Sequence, residues 1–71
     1  MDILVFKTNI TDRKIKRKIF PLLRTIEGIV KWTVDFEDGD KILRVEALHV
    51  RPSAIEMTLQ HAGFLCHELE D

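Results

Sequence analysis

The sequence predicts one domain of the α+β class, a four-stranded antiparallel sheet with two helices on one of its faces. Three observations lead there. Apolar residues recur at spacings of three and four from Ile15 to Ile26, they alternate with polar ones from Val30 to Phe36, and the same change of period repeats after Pro52. A chain of 71 residues has room for about that much structure around a single core.

Taken in order, Ile3–Phe6 is a short apolar run ending at Thr8-Asn9, a first strand. Thr11 is placed to cap a helix of about 12–26, with Asp12 in its first turn, where a carboxylate meets exposed N–H groups. Ile15, Ile19, Leu22, Leu23 and Ile26 form its apolar stripe, and Gly28 supplies the stop. Pro21 removes one backbone donor and crowds the Arg17 carbonyl, which predicts a kink or a loosened turn. Val30, Trp32, Val34 and Phe36 alternate with Lys31, Thr33 and Asp35 in a strand with one wetted face. Glu37-Asp38-Gly39-Asp40 has the Asp-Gly signature of a hairpin turn. The third strand, about Lys41–Leu48, returns antiparallel with Leu43, Val45 and Ala47 on one face. Pro52 opens a helix of about 52–62 whose weaker stripe, Ile55, Leu59 and Ala62, closes at Gly63. Phe64–Glu68 is the last strand, with Phe64, Cys66 and Glu68 opposite Leu65, His67 and Leu69. With right-handed crossovers, βαββαβ gives the ferredoxin-like arrangement and the strand order 4-1-3-2.

Composition narrows the function classes. With 45% apolar and 32% charged residues and no low-complexity tract, residues 1–71 read as one ordinary globular domain. The opening MDILVFK has an acid at its second residue and four apolar residues in a row, so it reads as neither a secretory signal nor a membrane span; a cytoplasmic location is expected. The single cysteine, Cys66, excludes an intramolecular disulfide. No Ser/Cys–His–Asp spacing, Gly-rich phosphate loop or HxxEH spacing occurs, so the expected protein is not an enzyme and carries no cofactor.

Charge is unevenly placed. The net value is −1, yet residues 1–24 hold seven basic and two acidic side chains, a balance of +5, and the remainder carries −6. Such asymmetry is either a solvated helix face or a field that steers an acidic partner. Arg13, Lys14, Arg17 and Lys18, with Arg24, are the candidate partner-binding cations. Phe20, about 100° off the apolar stripe on the side of Arg13 and Arg24, is either the edge of the core or an anchor for that partner. Trp32 reads as a core residue of the sheet.

Phe6-Lys7-Thr8-Asn9-Ile10, Ile26-Glu27-Gly28-Ile29, Trp32-Thr33-Val34-Asp35, Asp40-Lys41-Ile42-Leu43 with Val45-Glu46, and Ala62-Gly63-Phe64 carry a resemblance over essentially the whole chain. The sequence resembles the heavy-metal-associated domains of copper chaperones and metal-transporting ATPases. That resemblance implies the ferredoxin-like fold and a Cys-x-x-Cys pair that binds a soft ion such as Cu(I) through two thiolates. Laid on the family's motif, Asp12 and Ile15 occupy the two cysteine positions, so the implied metal site does not carry over to them.

The expectation is therefore a non-enzymatic protein-interaction or regulatory module, docking an acidic protein or another copy of itself through its basic loop and helix surface. The alternative is a divergent copper or zinc binding or transport protein that uses Cys66, His49, His61 or His67, with ligands shared across a dimer. Cys66 and His67, adjacent on a strand, point to opposite faces and cannot chelate one ion together, so a metal ion is not expected in the monomer. Nucleic acid is the weakest partner class, because the domain is net acidic and shows no exposed aromatic platform.

Overall fold

A computed structural model describes residues 1–69. The elements are β1 (Asp2–Thr8), α1 (Arg13–Arg24), β2 (Ile29–Asp35), β3 (Ile42–Ala47), α2 (Pro52–His61) and β4 (Cys66–Glu68). They form one sheet in the order β2-β3-β1-β4 with every neighbouring pair antiparallel, as the two periods predict. Leu4, Phe6, Leu43, Val45, Ala47 and Cys66 of the sheet cluster with Ile19 and Leu23 of α1 and Ile55 and Leu59 of α2. Both helices thus bury their stripes on one face, while Arg44, Lys31 and Thr33 stay exposed on the other. No helix among the described residues is long and apolar enough to cross a membrane.

α1 begins one residue later than its pattern suggests. Asp12, not Thr11, is the N-cap: its extended backbone and Oδ1, which accepts from Ile15 N at 2.9 Å, satisfy a donor that the helix itself leaves free. Pro21 does not interrupt α1, which continues to Arg24. Its ring lies on the exposed side, where water can take the bond that the Arg17 carbonyl loses. The stop comes at Thr25, whose N–H turns back to Leu22 and Leu23 and whose Oγ1 donates to Leu22 O at 2.6 Å.

Gly28 serves a different purpose from the one its position suggests. It sits at φ +103°, accepts Leu48 N at 2.8 Å and lets the turn before β2 press against the chain after β3. Gly63, by contrast, does close its helix. At φ +93° its N–H donates to Gln60 O, and Phe64 N donates to Leu59 O at 2.9 Å, the paired bonds of a Schellman cap. Ala62 is exposed and adds nothing to the stripe of α2.

β2 departs from strict alternation at Val30. The pairing register slips between Ile29 and Lys31, so Ile29 opposes Ala47 and Lys31 opposes Glu46. The bulge turns Ile29 and Trp32 toward the same core although they are three residues apart, and it leaves Val30 57% exposed. The connection to β3 is also wider than a two-residue Asp-Gly turn. Lys41 N bonds to Asp38 O, Asp38 Oδ1 accepts from Asp40 N, and the left-handed residue is Lys41 at φ 47° rather than Gly39.

Candidate functional site

The loop that precedes α1 is tied down from three sides. Thr8, buried, donates its hydroxyl to Lys41 O and accepts from Ile10 N, which draws Ile10 fully into the core. Asn9 Oδ1 accepts Leu65 N at 3.0 Å, joining the loop to the approach of β4. Asp12 then opens the helix. α1 consequently leaves a fixed base, and its side chains are aimed by the helical repeat alone.

That repeat divides the basic run between two flanks. Arg13, Lys16, Arg17 and Phe20 face β2 and, with Trp32, Val34 and Phe36, line an open groove of about 710 Å³. Lys14 and Lys18 fall about 100° further round the helix and do not line it. The Phe20 and Trp32 ring centres are 6.2 Å apart and tilted by 50°, inside the range of favourable aromatic pairs. Lys16 Nζ lies 5.6 Å from the centre of the Trp32 ring, and the Arg24 guanidinium lies 5.8 Å from that of Phe20. Each ring thus carries a cation on its face.

Phe20 is 50% exposed, and Trp32, Val34 and Phe36 are half-buried. An apolar floor accessible to solvent between cationic walls is chemically a receptor for a segment that offers carboxylates together with an apolar contact. Among the described residues the ion pair is Lys7 Nζ with Asp40 Oδ1 at 3.6 Å, and no acid neutralises the cations of α1. The first turn of α1 also lacks an acidic residue, so Arg13 and Lys14 meet the positive end of the helix dipole with only the Asp12 cap to oppose it.

Of the partner-binding candidates, Arg13, Arg17 and Phe20 come together in the groove and Arg24 covers its aromatic end, whereas Lys14 and Lys18 lie on the other flank. Sequence reasoning missed Lys16 and the wall contributed by Trp32, Val34 and Phe36. The alternation of that wall was visible, but alternation cannot distinguish a fully covered strand from one at the sheet edge that a helix only half covers.

The alternative ligands are placed apart. Cys66 is fully buried in the core, while His67 beside it is exposed and pairs with Lys7 on the open face. His49 and His61 are also exposed, and no group of three or more His, Cys, Asp or Glu side chains among the described residues is arranged to hold a metal ion. Burial, with the Glu56 carboxylate adding to it, pushes the Cys66 thiol up to about 12 from 9.0. The proton that the native thiol keeps is lost by the unfolded chain from pH 9 upward. Stability due to this group is therefore complete below pH 9 and falls as pH rises toward 12. Urea midpoints of the parent should drop more steeply between pH 9 and 11 than those of Cys66→Ala; parallel profiles would mean that the thiol ionises freely in the fold.

No family model matches the sequence, and no curated protein matches it either. Solved structures do. The N-terminal domain of ZntA, determined in solution in its Zn(II) form, has a TM-score of 0.79 at 23% identity, covering 96% of this chain and 92% of that one. A chain from work on crosstalk between Cu(I) and Zn(II) homeostasis gives a TM-score of 0.81 at 13% identity, covering 97% of this chain and 100% of its own. At these identities the likeness is one of fold, and the resemblance to heavy-metal-associated domains holds at that level.

The two-thiolate site that the sequence resemblance implies does not fit residues 12 and 15 as they stand here. Asp12 spends its carboxylate on the helix cap, Ile15 has no donor atom, and the one thiol is closed within the core.

Proposed function

We propose that this chain is a non-enzymatic interaction module that captures an acidic segment of a partner protein in the groove between α1 and β2. The observation that supports it is the cationic wall of Arg13, Lys16 and Arg17, which no acid among the described residues neutralises, over a solvent-accessible aromatic floor. Cations crowded at a helix N-terminus repel one another and the helix dipole, so they weaken the element that carries them. A bound carboxylate segment would offset that cost. The proposed setting is the cytoplasm, where a lone thiol held in the core remains reduced.

The split of the basic run supplies the test. An acidic peptide of Glu, Asp and Leu is titrated into the protein and read by the fluorescence of Trp32, the single tryptophan. The groove variant Arg13→Glu/Lys16→Glu/Arg17→Glu should lose at least about tenfold in affinity, and Lys14→Glu/Lys18→Glu, on the other flank, should stay within about twofold. Raising ionic strength from about 0.05 to about 0.5 M should weaken the parent and leave little difference between the variants. Equal affinities for the two variants at low salt would reduce the basic run to a solvated surface.

A further inference from the structure

The groove is lined by α1 on one side and by Trp32, Val34 and Phe36 on the other, and β2, which supplies two of those residues, is the outer strand of the sheet. β2 ends the strand order, so its outward N–H and C=O groups have no strand partner among the described residues. Edges are commonly blunted by shortness, proline or a bulge. The opposite edge, β4, is blunted by shortness, being three residues long. β2 is seven residues long and has no proline, and its bulge lies near its start. Trp32–Asp35 pair regularly with β3 and leave an ordinary strand edge outward.

The side chains of that edge segment are part of the groove floor. A further strand would lie about 4.8 Å outside β2, with every second side chain directed to the helix side of the sheet. There it would stand beside Trp32 and Val34 and within reach of Lys16 and Arg17, whose charge selects carboxylates. Main-chain bonds would then supply affinity while the groove supplies specificity.

We propose that the acidic partner segment binds in extended form as a fifth strand on the outer edge of β2, with its carboxylates on the face toward α1. The inference rests on the groove being an acid-binding site and specifies how the ligand is held. In an antiparallel addition, residues whose side chains share one face also direct their N–H groups to one side, so the two alternate sets of the ligand are not equivalent.

The probe is a capped octapeptide alternating glutamate and threonine, with two isomers N-methylated at every glutamate or at every threonine. The side chains are the same in all three. The parent peptide should bind, one isomer should bind at least about tenfold more weakly than the other, and alternate amides of Lys31–Asp35 should exchange more slowly in the complex. Equal affinity of the two isomers, with the groove variant still impaired, overturns strand addition and leaves the acid-binding groove standing. Failure of the parent octapeptide and of every other acidic peptide to bind removes both. A concentration-dependent dimer that shows the same amide protection without peptide also overturns the proposal, because the edge then belongs to a second copy.

Discussion

Gly28→Ala is expected to destabilise the fold by about 2–4 kcal/mol, enough to lower the melting temperature by more than about 10 °C in a domain of this size. Two effects combine. An alanine must adopt φ +103°, where L side chains are strained, and its Cβ would lie 2.5 Å from Leu48 O and 2.7 Å from Val50 Cγ2. The nearer obstacle is backbone, and the same residue donates its N–H to Gly28 O, so retreat stretches the bond that closes the turn. Gly39→Ala is the control, since its Cβ would meet nothing within 4 Å and Gly39 has no positive φ. Thermal and urea unfolding should separate the two variants clearly. A loss at Gly28 no larger than that at Gly39 would mean the turn before β2 does not press on Leu48.

Asp12→Cys/Ile15→Cys is expected to gain one-to-one Cu(I) binding at least about a thousandfold tighter than the parent. Position 12 caps α1 and position 15 is the residue whose N–H that cap receives, so both side chains stand at the positive end of the helix. Thiols there ionise more readily, and two thiolates three residues apart suit a soft ion of low coordination number. The stability signature should invert on loading. Losing the Asp12 cap should cost about 1 kcal/mol without metal, and ligation should more than return it. Competition titrations on the double variant and both single variants check this; a double variant no tighter than either single one would show that this loop cannot converge two thiolates.

Much of the fold was legible because each element announces its period. The boundaries were less so. β1 runs from Asp2 to Thr8, beyond its apolar run, because pairing with Ala47 and Cys66 holds polar ends that composition does not mark. Val30 misled because a bulge is a property of two strands, and nothing in residues 29–36 records the register of β3. Gly28 looked like a helix stop because a left-handed glycine is the same signal whether it ends a helix or admits a distant backbone. In the site, the cations were legible as a run, but their division follows from the helical repeat of about 100° per residue rather than from proximity in sequence. The opposing wall required knowing that β2 stands at the edge. The resemblance to heavy-metal-associated domains was legible in scattered blocks, and the solved structures bear it out as a likeness of fold.

The position of β1 between β3 and β4 also has a consequence for synthesis on the ribosome. One edge of β1 can pair once β3 has emerged, but the other must wait for Glu68, sixty residues after Thr8. At about 5–20 residues per second that interval is about 3–12 s. During it the central strand of the nascent chain, with Leu4 and Phe6 in it, has an open flank, and Cys66 has not yet arrived to cover Thr8. Closure of the sheet on that side is therefore the last pairing that the order of synthesis permits.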